Sequence, residues 1–162
     1  DLGGIGKGYL ADELASTIGK YTDSYCLSLG GDIRVNGTDS SEPWVIDIES
    51  PHRTSESVGT YQSTDNSYGI ATSGVQREKS GHTQNHLIDP RTGEVAESPY
   101  SICTVVASDA VTADIYASYL LILGTSEIDR LIHEGQIQGV ALQGENELKP
   151  QIWGKGFTFK GT

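Results

Sequence analysis

Asp114 and Ser118 stand four residues apart in an apolar stretch of helical character, so their side chains share one face, one turn apart. A carboxylate and a hydroxyl placed this way offer two hard oxygens to Mg2+, which keeps its other positions for water, backbone carbonyl and phosphate. By spacing alone, an aspartate bonded to a neighbouring loop and a serine bonded back to its own helix carbonyl account for the pair better. Either way the carboxylate needs a partner, because an unpaired charge inside a buried helix is costly. A second group lies in Asn85-His86-Leu87-Ile88-Asp89-Pro90-Arg91-Thr92-Gly93. The apolar pair Leu87-Ile88 reads as a short strand, and Asp-Pro followed by Thr-Gly ends it in a rigid turn. His86 then sits at one end of that strand, with an imidazole whose ordinary pKa suits proton transfer or ligand binding. Taken alone, a surface hairpin with a solvated histidine fits this stretch equally well.

The third group is Asp1-Leu2-Gly3-Gly4-Ile5-Gly6-Lys7-Gly8-Tyr9. A glycine-rich loop running into a helix N-terminus is an anion site, because free N–H groups and the helix dipole point the same way, and Lys7 adds charge. The spacings match neither the dinucleotide fingerprint nor a Walker loop. By spacing alone, a tight turn ahead of a core helix accounts for them better.

The elements that must position these groups follow from periodicity. A helix is expected from about Tyr9 to Gly19, with Leu10, Leu14 and Ile18 as its apolar stripe. Strands are expected at Tyr25–Leu29, at Ile33–Val35, around Trp44, Ile46 and Ile48, at Tyr68–Thr72 with a break at Ser73-Gly74, and around Ile102, Thr104 and Val106. Residues 52–66 read as a polar loop or edge hairpin, and 76–83 as an exposed loop. Ser108 is a natural cap for a helix to Leu123, apolar on all sides and stopped by Gly124; Ser126 caps another that ends at Gly135. Gly139–Leu142 and Gln151–Trp153 close the chain as strands. This order is not a strict βαβ alternation and predicts an α+β fold, a mainly antiparallel sheet with flanking helices, in a single domain over 1–162.

The 162 residues suffice for one sizeable core, and 20 glycines suit many turns. A net charge of −11 repels polyanions, which argues against nucleic acid and anionic membrane surfaces as partners. An anionic small ligand would need a metal cation, nearby lysines or helix N-termini. Cys26 and Cys103 are too few for a disulfide framework, lack zinc spacing, and are expected as buried strand thiols. No apolar run reaches the length of a membrane span and no leader precedes residue 1, so an export signal, if the parent has one, lies outside this chain.

Six stretches in order resemble the ApbE family of FAD:protein FMN transferases. They are Asp1–Tyr9, with Gly6 where the family has Ala; Gly30-Gly31-Asp32-Ile33; a Trp44 strand ending near Pro51; Thr72-Ser73-Gly74; His86 to Gly93; and Ala113-Asp114-Ile115-Tyr116-Ala117-Ser118. The resemblance implies an ApbE-like (T-fold-like) architecture, of which this chain would be the C-terminal portion. It implies Mg2+ held by Gly4, through its carbonyl, with Asp114 and Ser118. The last departs from the family's usual Thr and loses a methyl that restricts rotamers. Lys7 and His86 fall on FAD-contacting positions, and Thr72 and Ser73 come next for phosphate or ribose. His86 and Asp114 would be the catalytic residues.

The implied reaction is Mg2+-dependent transfer of FMN from FAD to a Thr or Ser hydroxyl of an acceptor flavoprotein subunit, with release of AMP. Two alternatives stay open: hydrolysis of FAD to FMN and AMP, and a flavin-binding module without turnover. An extracytoplasmic parent, reaching a membrane only through a lipid anchor outside this chain, completes the expectation.

Overall fold

A computed structural model of the chain describes residues 2–50, 56–63, 65–77, 83–84, 87–144 and 149–160. At its centre is β8 (Tyr100–Ala107), whose run Ile102-Cys103-Thr104-Val105-Val106 is buried on both faces for most of its length. Such β-branched, two-sided apolarity belongs to an interior strand. On one side lies β5 (Ser67–Gly74) and on the other β9 (Gly139–Gly144), both antiparallel to it. Beyond β5 come β2 (Asp32–Asn36) and the edge strand β1 (Tyr25–Leu29); beyond β9 lies β10 (Gln151–Trp153). The six-stranded order is β1-β2-β5-β8-β9-β10, with every pairing antiparallel.

One face of this sheet carries helices α1 (Gly6–Ile18), α2 (Ala110–Leu123) and α3 (Ile128–His133). Ala71, Cys103, Val105, Leu120, Leu121 and Leu131 belong to the core on that face. The opposite face packs on a small antiparallel sheet of β3 (Val45–Glu49), β4 (Ser57–Gln62) and β11 (Phe157–Phe159). There Ile46, Ile48, Tyr61, Tyr68, Ile70 and Phe159 form a second core. Two short strands, β6 (Gln76–Arg77) and β7 (Thr83–Gln84), pair with each other. The α+β, mainly antiparallel expectation holds.

The head of α2 is fixed at three points. A Cβ on Gly69 would lie 2.2 Å from the Asp109 carbonyl oxygen, and one on Gly8 would lie 2.6 Å from that of Ala110, so glycine is what lets β5 and α1 approach this closely. The Asp12 carboxylate on α1 accepts the N–H groups of Ala110 (3.1 Å) and Val111 (2.9 Å), which begin the helix without intrahelical partners.

Several expectations need correction. Helix α1 starts at Gly6, inside the glycine loop, and buries Gly8, Ala11 and Ala15 while Leu10 and Leu14 lie exposed. Small residues win that face because they allow close approach to α2. Asp109, extended at φ −147° and ψ 165°, is the cap of α2 and accepts from Thr112 N–H at 2.8 Å; Ser108 donates to Asp109 instead. Helix α2 is not apolar-buried all round, since Ile115 is exposed and Asp114 buried. Ser126 does not cap α3, which follows Glu127 without a side-chain cap. Part of 52–66 forms β4, and β5 continues through Ser73-Gly74 in register with Cys103 and Ile102. Cys26 is exposed because β1 is an edge strand, whereas Cys103 is buried as expected.

Candidate functional site

The described candidates converge. Gly4, Lys7, Thr72, Ser73, Asp114 and Ser118 all line one open cavity of about 590 Å³ at the helix face of the sheet. Residues from the glycine loop, the first turn of α1, the end of β5 and the middle of α2 meet there, though more than a hundred positions separate the first from the last. His86 and Asn85 lie outside the described residues, but the next residue, Leu87, is in the cavity wall.

Asp114 is 3% exposed. Its Oδ2 accepts the Gly8 N–H at 3.2 Å, and its Oδ1 lies 3.9 Å from Lys7 Nζ. The glycine-rich helix start thus already directs one N–H at a carboxylate of the protein itself, as its dipole favours. Four residues on, Ser118 Oγ is 2.8 Å from Ser73 Oγ, which brings a second hydroxyl beside the pair. Alternation along β5 separates Ser73 from Thr72. Ser73 faces α2, while Thr72 Oγ1 pairs with Thr104 Oγ1 at 2.9 Å. Thr72 therefore borders the cavity without presenting its hydroxyl to Ser118.

A buried residue absent from the expected set stands behind these. Asp32 is 1% exposed and accepts a hydrogen bond from the Lys7 ammonium. Burial holds its carboxyl above the usual carboxylate range, the Lys7 hydrogen bond works the other way, and the Asp114 carboxylate pushes it further up. The sequence signal for it was the Gly30-Gly31-Asp32 turn, whose glycines take φ +62° and +98°.

At the far rim, Asp89-Pro90-Arg91-Thr92-Gly93 is the tight turn that its residues predict. Gly93 N–H donates to the Asp89 carbonyl at 2.8 Å with φ +76° at Gly93, and Ile88 bridges Val95. Arg91 donates to both Asp89 carboxylate oxygens at 2.6–3.1 Å. That pairing, with the Arg91 N–H, holds Asp89 down at about 2.

The donor set suits a hard cation. Among the described residues no cluster of three or more His, Cys, Asp or Glu is present. The cavity instead offers one buried carboxylate, two hydroxyls and the backbone of a glycine turn. The Asp114 carboxylate, with one N–H, a distant ammonium and the like-charged Asp32 carboxylate around it, calls for a further positive partner. Oxygen-only donors with a single carboxylate, leaving other positions to ligand phosphates, match Mg2+ better than zinc or a softer metal.

In sequence and in fold the chain is similar to known proteins. The FAD:protein FMN transferase of Salmonella typhimurium is 31% identical over 152 residues, covering 91% of this chain and 43% of its own length. That of Klebsiella pneumoniae is 33% identical over 147 residues, covering 88% and 41%. The chain thus spans about two fifths of the length of these curated relatives. Among solved structures, the ApbE protein of Thermotoga maritima superposes with a TM-score of 0.74 at 25% identity, over 96% of this chain and half of that one. The flavin transferase ApbE of Vibrio cholerae gives 0.74 at 28%, over 94% and 49%. The ApbE family model matches residues 1–141, and with the antiparallel fold and the assembled cavity it follows that this chain belongs to the ApbE family.

Proposed function

We propose that this chain carries the metal- and phosphate-binding side of an FAD:protein FMN transferase site. The observation that carries the reading is the meeting of Lys7, Ser73, Asp114 and Ser118 in one cavity, because no local feature of the sequence requires it. Asp114 and Ser118, with the Gly4 carbonyl, would hold Mg2+. Bound there, the ion would neutralise the pyrophosphate charge that a chain of net charge −11 otherwise repels.

Lys7, half exposed at the cavity edge, supplies an ammonium for a phosphate oxygen. The hydroxyl oxygen of an acceptor Thr or Ser attacks the FMN phosphorus, forming a P–O bond as the pyrophosphate P–O bond breaks and AMP leaves. The hydroxyl proton must go to a base, and His86 is the candidate in sequence reach of the cavity wall. Ser73 holds the Ser118 hydroxyl in place through their mutual hydrogen bond.

The test is incubation with FAD, Mg2+ and an acceptor protein, reading AMP by chromatography and covalent flavin by in-gel fluorescence. Both products, lost together on chelation, support the reading. AMP without protein-bound flavin points to hydrolysis; retained FAD without AMP points to a binding module. Asp114→Asn should lower Mg2+-dependent AMP release about 100-fold or more while leaving unfolding cooperative. Undiminished release in that variant removes Asp114 from the metal site.

A further inference from the structure

Asp32 has no part in the scheme above. It opens β2 directly after the Gly30-Gly31 turn, and it lies behind the cavity wall rather than in it. Lys7 reaches it from the first turn of α1. The ammonium makes a direct hydrogen bond to Asp32 Oδ2 while standing 3.9 Å from Asp114 Oδ1. The lysine stem passes close to Gly30, where an added Cβ would lie 3.6 Å from its Cδ. One ammonium thus has two buried carboxylates within reach, and it sits on the one farther from the cavity.

The choice matters for Asp114. An ammonium seated on Asp114 would cancel the charge that a divalent cation needs and would crowd its Oδ1. We infer that Asp32 is a positioning residue that seats the Lys7 ammonium away from Asp114, and thereby sets the divalent-cation affinity of the cavity. Without Asp32, Lys7 moves the short distance onto Asp114 and competes with the cation. This rests on the Mg2+ reading proposed above.

The experiment is a double-mutant cycle of Asp32→Asn and Lys7→Gln, read as Mg2+ affinity by titration calorimetry, with Mn2+ as a second probe by loss of its free-ion paramagnetic signal. Neither readout involves FAD or turnover. Asp32→Asn is expected to weaken Mg2+ binding roughly 10–100-fold, the usual range for partners behind a metal ligand. In the Lys7→Gln background the same change should cost little, giving a coupling of about tenfold or more. Equal losses in both backgrounds would mean that Asp32 acts only as one more negative charge, and would overturn the seat. Unchanged affinity in Asp32→Asn overturns it as well. Should Asp32→Asn not fold, Asp32→Ser is read in the same two backgrounds: a loss of Mg2+ affinity that Lys7→Gln removes supports the seat, and equal losses in both backgrounds or no loss refute it. Failure of the unaltered chain to bind Mg2+ or Mn2+ removes the metal reading itself and this inference with it.

Discussion

Asp12 and Arg34 are paired at 3.2 Å, Oδ1 to Nε, and through this pair the sheet holds both helices that build the cavity. Arg34 also donates to the carbonyls of Val35 and Tyr68 at 2.8 Å and to Ser67 Oγ at 2.9 Å, tying β2 to β5. Asp12 passes the connection to the head of α2. Asp12→Ala should therefore cost about 1–3 kcal/mol, since it strands two N–H groups and removes the carboxylate partner of Arg34. Asp12→Asn keeps one acceptor and should lose less. Chemical denaturation of both variants measures the difference.

Gly8 is the tighter constraint. A methyl there meets the Ala110 carbonyl oxygen at 2.6 Å and the Val111 Cα at 2.7 Å, both backbone atoms that cannot step aside. Gly8→Ala should push α1 off α2, at a cost of about 1–3 kcal/mol, and should spoil the N–H donated to Asp114. Thermal unfolding and Mg2+ titration should both register the change. A variant as stable as the parent would show that the helices stand farther apart than described.

Ser118 sits where the family resemblance leads one to expect threonine. Ser118→Ala should need several-fold more Mg2+ for the same AMP release, because water can take one ligand position. It should also lose about 0.5–1.5 kcal/mol with the Ser73 hydrogen bond. Ser118→Thr should match or exceed the parent. A marked loss in the threonine variant would mean that this face of α2 has no room for the extra methyl.

Asp89 provides a pH signature. Its folded value, about 2, lies below the ordinary carboxylate value near 4, with the Arg91 hydrogen bonds as the largest cause. A depressed carboxylate stabilises the fold above its unfolded value and stops doing so as pH falls toward the folded one. The stability gap between the parent and Arg91→Ala should thus be full at pH 6 and shrink between about pH 4 and pH 2. Urea unfolding across that range tests it, and a gap that widens on acidification would contradict the pairing.

How much of this was legible in the chain depended on whether neighbours or distant partners set the outcome. The strand Ile102–Val106 and the stop of α2 at Gly124 were plain, because β-branched runs and a positive-φ glycine act locally. The buried face of α1 was not. Leu10, Leu14 and Ile18 form the stronger stripe, but packing against α2 selects the small side made by Gly8, Ala11 and Ala15. Strand β4, with Ser57, Gly59 and Thr60 among its residues, carries little apolar signal of its own and is specified by its partners β3 and β11. Asp114 and Ser118 were candidates from their spacing and Lys7 from the glycine loop, and the resemblance weighted all three toward a site. Asp12 and Asp32 escaped notice as candidates because a lone acid on a helix or after a turn reads as solvated until its partner from elsewhere in the chain is known.

The two cysteines, one exposed on the edge strand β1 and one enclosed in the core, differ sharply in access. Cys103 is wholly buried, and burial pushes its thiol far above the ordinary value, so an alkylating reagent has neither path nor thiolate there. A maleimide fluorophore would therefore mark Cys26 alone, without any engineered substitution. Cys26 pairs with Val35 and so projects from the sheet face opposite the helices, which keeps such a dye clear of the cavity while holding it on the strand that runs into the Gly30-Gly31 turn.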